Sequence, residues 1–242
     1  MPSPDPATPR LDAVVVAVDG PSGSGKSSTA RGVATALGLR YLDTGAMYRA
    51  ITWAVLTTGT DSYDAAAVDE LAGRLELQSG TDPQAPTIAV DGIDVSGPIR
   101  GPEVTAAVSA VSAVPAVRAR MVARQRALIG TGGIVVEGRD IGTAVAPDAT
   151  VKVFLTAHVS ARAERRTAQV GGPATAHGST RDDLDRRDRL DSSRRASPLA
   201  RADDAVDVDT TDLTLQQAIE LIVSLVRRAV QPRDERNEES MR

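Results

Sequence analysis

Val14-Val15-Val16-Ala17-Val18-Asp19-Gly20-Pro21-Ser22-Gly23-Ser24-Gly25-Lys26-Ser27 is the stretch from which the rest of the chain is read. Its apolar opening predicts a buried strand over Val14–Val18, far too short to cross a bilayer. The residues after Asp19 match G-x-x-x-x-G-K-[ST]. Beyond them Ser27–Leu37 has the spacing of a helix, with Gly38 as its stop. In a strand, glycine-rich loop and helix of this kind, consecutive backbone N–H groups curl around phosphate oxygens at the positive end of a helix dipole. Gly20, Pro21, Ser22, Gly23, Ser24, Gly25, Lys26, Ser27 and Ser28 are therefore expected to hold a nucleoside triphosphate. Lys26 is expected to reach its outer phosphates as a catalytic cation, and the Ser27 hydroxyl to face Mg2+.

Outward from that loop the chain alternates. Ala46–Thr58 carries Met47, Ala50, Ile51, Ala54 and Val55 at helical spacing. Ile134–Val136, Val151–Leu155 and Ala205–Val208 read as short buried strands. A last helix begins at Thr214, with Gln217 completing a capping box, and is expected to bury Leu215, Ile219, Ile222 and Val226. Strands separated by helices imply an α/β fold, a parallel sheet covered on both faces. Thr87–Val95 breaks the rhythm: two alternating runs about Asp91-Gly92 predict a hairpin. Helices paired around Pro115 follow it. Residues 1–12 and 231–242 carry little to bury and are expected to be disordered tails.

Composition removes whole classes of function. The 242 residues contain no cysteine, which excludes disulfides, thiolate metal sites and a cysteine nucleophile. A net charge of −4 and five scattered aromatic residues argue against nucleic acid as a partner. The N-terminus lacks a basic segment followed by an apolar one, so no secretory signal is expected. A cytoplasmic monomer without membrane attachment is the expectation. Lysine occurs only at Lys26 and Lys152, with arginine elsewhere, as GC-rich coding would also produce. His158–Arg201 holds ten arginines against six acidic residues, a basic flap on an acidic body.

Two further stretches carry candidate chemistry. In Leu42-Asp43-Thr44-Gly45-Ala46-Met47-Tyr48-Arg49 either Asp43 or Thr44 can cap the helix that follows, with Tyr48 and Arg49 one turn in. Capping and a surface arginine would leave the same pattern. Ile134-Val135-Val136-Glu137-Gly138-Arg139-Asp140 puts a cation and a carboxylate at the carboxyl end of a buried strand, where open parallel sheets gather ligands. A turn with a local ion pair would look alike. Arg187, Asp191 and Arg194 fall on one predicted helix face, as do Arg162, Arg165 and Arg166, and a solvated helix would show the same spacing. Neither lysine sits in the N-K-x-D context of a guanine-nucleotide switch.

V-D-G-P-S-G-S-G-K-S-S, L-D-T-G-A-M-Y-R, D-V-S-G-P-I-R, V-E-G-R-D-I-G-T and R-R-D-R-L-D-S-S-R-R-A-S-P-L occur here in the order found in bacterial cytidylate kinases, and the chain resembles that family from about Val14 to Val230. The resemblance implies a three-layer α/β/α P-loop fold across 13–230, with a small antiparallel substrate-binding insert near 60–115 and an arginine-rich helical lid near 158–200. It implies transfer of the γ-phosphoryl group of ATP, with Mg2+, to CMP or dCMP, giving CDP or dCDP in pyrimidine nucleotide metabolism, with UMP a poor substrate. Thr44, Arg49, Arg139 and Arg194 would hold the acceptor phosphate, and Arg139 and Arg194 would serve catalysis. Arg187 and Asp191 would engage the ribose, while Ser109, Arg118 and Asp140 would read the cytosine beside Tyr48. Val170–Thr180 departs from the family pattern. The loop alone would also suit a kinase for another small anion, or a regulatory protein that binds ATP without an acceptor.

Overall fold

The computed structural model describes residues 11–170, 177–194 and 198–231, without the side chains of 166, 168–170, 177–180, 183 and 187. Residues 1–10 and 232–242 lie outside the described residues. Leu11 and Asp12, expected in the disordered tail, instead form a short helical turn with Ala13. Leu11 packs on the core because it is the one large apolar side chain of residues 2–12. In chain order β1 (Val15–Asp19), α1 (Lys26–Leu37), β2 (Arg40–Asp43), α2 (Thr44–Thr57) and α3 (Ala65–Arg74) lead into β3 (Leu77–Ser79), β4 (Ile88–Val90) and β5 (Ile93–Asp94). Next come α4 (Pro102–Ala113), α5 (Pro115–Ile129), β6 (Ile134–Glu137), β7 (Val151–Thr156), α6 (Val159–Val170), α7 (His177–Ser192), β8 (Val206–Asp209) and α8 (Leu215–Val230).

Five strands form one parallel sheet in the order β2-β6-β1-β7-β8. Its two faces follow from side-chain alternation. Val16 and Val18 of β1 and Val135 of β6 pack with Ala30, Val33 and Ala34 of α1 and Ile222 and Val226 of α8. Ala17, Ile134 and Val136 face the other way, into the core shared with α2, α3, α4 and α5. Layers of helix, sheet and helix result, as expected. β1 is central, flanked by β6 and β7, so the loop at its carboxyl end opens beside the turn that follows β6.

The hairpin is present: β4 and β5 pair antiparallel, with Asp91 at φ 50° and Gly92 at φ 79° making the left-handed turn that hairpins favour. β3 adds a third strand that sequence reading missed, since Leu77-Gln78-Ser79 is too short and polar to signal one. β2 was missed as well, because Tyr41 and Leu42 are its only apolar residues. The capping box at Thr214 and Gln217 is formed. Leu215, expected inside, is 50% exposed: it opens α8 ahead of Ala218, the first buried side chain of that helix. Arg194 lies past Ser192, where α7 ends, so it does not share the helix face of Asp191. Among the described residues no single helix is long and apolar enough to cross a membrane.

Candidate active site

The chain leaves β1 through Gly20, at φ +147°, where a Cβ would lie 2.1 Å from the Leu155 carbonyl oxygen of β7. Only glycine passes there. The loop then closes on itself: the Ser24 hydroxyl donates to the Pro21 carbonyl at 3.0 Å, and Lys26 Nζ donates to that oxygen at 2.6 Å. The Ser22 amide donates to Oδ1 of Asp188 at 3.0 Å, so a loop N–H already takes an anionic oxygen. Asp188 also accepts from Arg162, whose Nη1 donates to the Ser22 carbonyl at 3.0 Å. Arg165 donates to Thr210, and the Thr210 hydroxyl reaches the Ser24 carbonyl at 3.1 Å. α6 and α7 are thereby tied to the phosphate loop by charge.

Glu137, quoted in the sequence but given no role there, sits at the carboxyl end of β6 and is 3% exposed. It accepts from the Ser27 hydroxyl at 3.0 Å and from the Tyr41 phenol, while its backbone carbonyl accepts from the Thr44 hydroxyl at 2.7 Å. Burial pushes the Glu137 carboxyl up, with Asp43 adding to the rise, and Lys26, Tyr41 and Ser27 oppose it. Burial and Arg139 push the Lys26 ammonium down, while Glu137, Asp188 and Asp19 hold its proton. A carboxylate ending an apolar strand was the available signal for Glu137. Between the two possible caps of α2 the structure selects Asp43, which accepts from the Ala46 amide at 2.9 Å.

Two residues beyond Glu137, Arg139 bridges the loop and α7. Its Nη1 donates to the Gly20 carbonyl at 2.5 Å, Nη2 to the Ser22 hydroxyl at 2.9 Å, and Nε to Asp191 at 2.8 Å. Asp191 also accepts from Arg194, whose guanidinium burial drives below its ordinary range. Asp140 pairs with Arg118 at 2.5 Å, and both are buried, at 4% and 3% exposure. The Arg118 guanidinium lies 5.3 Å from the centroid of the Tyr48 ring. Arg49 donates from Nη1 to the Ile99 carbonyl and the Thr105 hydroxyl, each at 3.0 Å.

A single cavity of about 350 Å³ gathers most of these groups. From the loop, Ser22, Gly23, Gly25, Lys26, Ser27 and Ser28 line it. So do Thr44, Tyr48, Arg49, Ser109, Arg118, Arg139, Asp140, Asp191 and Arg194. Gly20, Pro21 and Ser24 stand behind the lining, and the Arg187 side chain lies outside the described residues. Arg31 and Arg100 also line the cavity and were passed over in sequence, where nothing distinguishes them from surface arginines. The Nε atoms of Arg118 and Arg194 are buried without hydrogen-bond partners among the described residues. Cations and loop amides on a common cavity, with the buried carboxylates of Glu137, Asp140 and Asp191 among them, can hold two anionic ligands side by side.

Comparison with known proteins agrees with that chemistry. The family described as Cytidylate kinase matches residues 16–228. A cytidylate kinase from Streptomyces avermitilis is 60% identical over 222 residues, covering 91% of this chain and 95% of that protein. One from Mycobacterium avium is 54% identical over 217 residues, covering 88% and 95%. Among solved structures, an uncharacterized protein from Eubacterium ventriosum superposes with a TM-score of 0.50 at 10% identity, over 89% of this chain and 99% of its own, and supports the fold alone. With its phosphate loop and cation-lined cavity inside a match that runs from β1 to α8, this chain is a kinase that belongs to the cytidylate kinase family.

Proposed function

We propose that this kinase transfers the γ-phosphoryl group of ATP to CMP or dCMP, giving ADP and CDP or dCDP, and uses UMP poorly. The observation that carries the reading is the buried Arg118–Asp140 pair on the same cavity as Lys26 and the phosphate loop. Cytosine offers an exocyclic amino donor where uracil offers a carbonyl, and a carboxylate only accepts. Asp140 therefore takes the amino group, while Arg118 and Ser109 address the remaining edge of the ring and Tyr48 packs beside it. Thr44, Arg49, Arg139 and Arg194 hold the acceptor phosphate, and Arg187 and Asp191 engage the ribose. The working unit is residues 13–230, with the insert near 60–115 and the lid near 158–200, acting as a cytoplasmic monomer.

Transfer breaks the bond from the γ-phosphorus to its bridging oxygen and forms one to an oxygen of the acceptor phosphate. The protein's task is to align the two nucleotides and spread positive charge over the migrating group. Lys26 and Arg139 are already within the cavity for that task, each held by a protein oxygen that a nucleotide phosphate replaces. The groups near Ser27 suit Mg2+: its hydroxyl and the Glu137 carboxylate are hard oxygen donors 3.0 Å apart. Among the described residues no cluster of three or more His, Cys, Asp or Glu could hold a metal alone, which fits an ion that arrives on the triphosphate. Bound there, Mg2+ would neutralise developing charge on the phosphate oxygens. α6 and α7, laid over the loop, exclude water that would otherwise accept the phosphoryl group.

The test is coupled ADP release across a panel of nucleoside monophosphates. CMP and dCMP should be the preferred acceptors; equal use of all monophosphates would refute the cytosine reading. The same panel separates phosphate holders from base readers. Arg49→Ala, Arg139→Ala and Arg194→Ala should each lower kcat/KM for CMP and for UMP by similar factors, because both acceptors present the same dianion. Loss of CMP activity with UMP activity intact would move that arginine to the base.

A further inference from the structure

Asp19 ends β1 one residue before the phosphate loop, is 5% exposed, and lies outside the lining of the cavity. Its carboxylate reaches across to the turn after β6. Oδ1 accepts from the Ile141 amide at 2.8 Å and Oδ2 from the Gly142 amide at 2.7 Å. These are the first N–H groups of a single wide helical turn, Ile141–Val145, whose N-cap residue is Asp140. An aspartate in that position ordinarily bends its own carboxylate back onto the second or third amide of its helix, here Gly142 or Thr143. Asp140 does not. Its carbonyl accepts from the Ala144 and Val145 amides at 2.8 and 3.2 Å, its side chain makes no capping bond, and its carboxylate is paired with Arg118 instead.

We propose that Asp19 is a positioning residue for base selection: anchored on the Ile141 amide, it occupies the Gly142 amide, denies that capping partner to Asp140 and keeps the Asp140 carboxylate on the base. The proposal rests on Asp140 reading cytosine, as set out above. Two observations support it beyond the hydrogen bonds. A Cβ on Gly142 would touch Asp19 Oδ2 at 3.4 Å and press on Lys152 Cδ at 3.2 Å, so the turn lies in contact with both side chains. Asp19 also stands against its own environment: burial raises its carboxyl to about 6, with Asp140 adding to the rise, and the two amides and Lys26 pull it back. The repulsion from Asp140 acts in the same sense as the occupied amides, turning that carboxylate away from its own helix.

Asp19→Asn keeps the shape but leaves only one acceptor for two amides; with the Asn oxygen on Ile141, the Gly142 N–H is free for Asp140. We expect KM for CMP to rise and the CMP-to-UMP ratio of kcat/KM to fall about ten-fold. KM for ATP should stay within about two-fold, since the phosphate loop keeps its own bonds. Gly142→Ala sets a methyl against both Asp19 Oδ2 and the Lys152 side chain without altering charge, and should narrow the ratio in the same direction, by about three-fold. It carries the test if the Asn variant does not fold. A parent that prefers CMP, with variants that keep its ratio, would refute this proposal alone. So would variants in which CMP, UMP and ATP weaken alike, which is what mere structural support gives. A parent without CMP preference would refute the cytosine assignment itself, and this proposal with it.

Discussion

Lys26→Ala lowers turnover by about 10³-fold or more, the largest effect expected of any substitution in this chain. The Nζ group is buried and donates to the Pro21 carbonyl. That bond holds the ammonium inside the loop, where a β- or γ-phosphate oxygen is a far stronger partner than a carbonyl. Arginine does not replace it in kind, because a planar fork presents its charge differently from a compact, mobile ammonium. The Ala variant should still fold, as the loop keeps its Ser24 bond to Pro21 and its tie through Asp188 to α7. Initial rates at saturating ATP and CMP, with circular dichroism as the folding control, measure this. Near-normal turnover in a folded variant would end the phosphate-loop account.

Asp140→Asn is the second large effect, and it appears as a change of preference. The parent should favour CMP over UMP by roughly ten-fold to several hundred-fold in kcat/KM, from a buried polar group left unpaired in the wrong complex. The Asn amide can turn its NH2 toward the uracil carbonyl, so the ratio should narrow mainly through weaker use of CMP. The same change removes the counter-charge of Arg118, a guanidinium 3% exposed. A lower melting temperature should therefore accompany it, since breaking a buried pair is destabilising. Comparison of kcat/KM for both nucleotides at saturating ATP decides the point. If the variant discriminates as sharply as the parent, Asp140 and Arg118 form only a structural ion pair.

How much of this was legible in the sequence depended on whether the signal was local. The phosphate loop, the Asp91-Gly92 hairpin and the Thr214 capping box are each written in a few consecutive residues, and each is present. The Gly-Arg-Asp turn was legible because it follows a strand that is apolar until its last residue. The connections that make those pieces one site were not. Ser27 meets Glu137 across 110 positions, Asp19 meets Ile141 across 122, and Ser22 meets Asp188 across 166. No periodicity encodes such pairs; they exist because β6 lies beside β1 and α7 lies over the loop. Arg194 shows the opposite failure. Its spacing from Asp191 suggested a shared helix face, but α7 stops at Ser192, and the arginine reaches Asp191 from beyond the helix end.

The most direct test of the account follows the phosphorus. With ATP labelled at the γ-phosphate, Mg2+ and CMP, the label should pass into CDP, with little released as inorganic phosphate and little transferred when UMP replaces CMP. The cavity gathers the cations and the buried Arg118–Asp140 pair, and α6 and α7 lie against the loop, so the acceptor nucleotide and not water should receive the group. Label that appears chiefly as inorganic phosphate, or that remains in ATP whatever monophosphate is supplied, would contradict it.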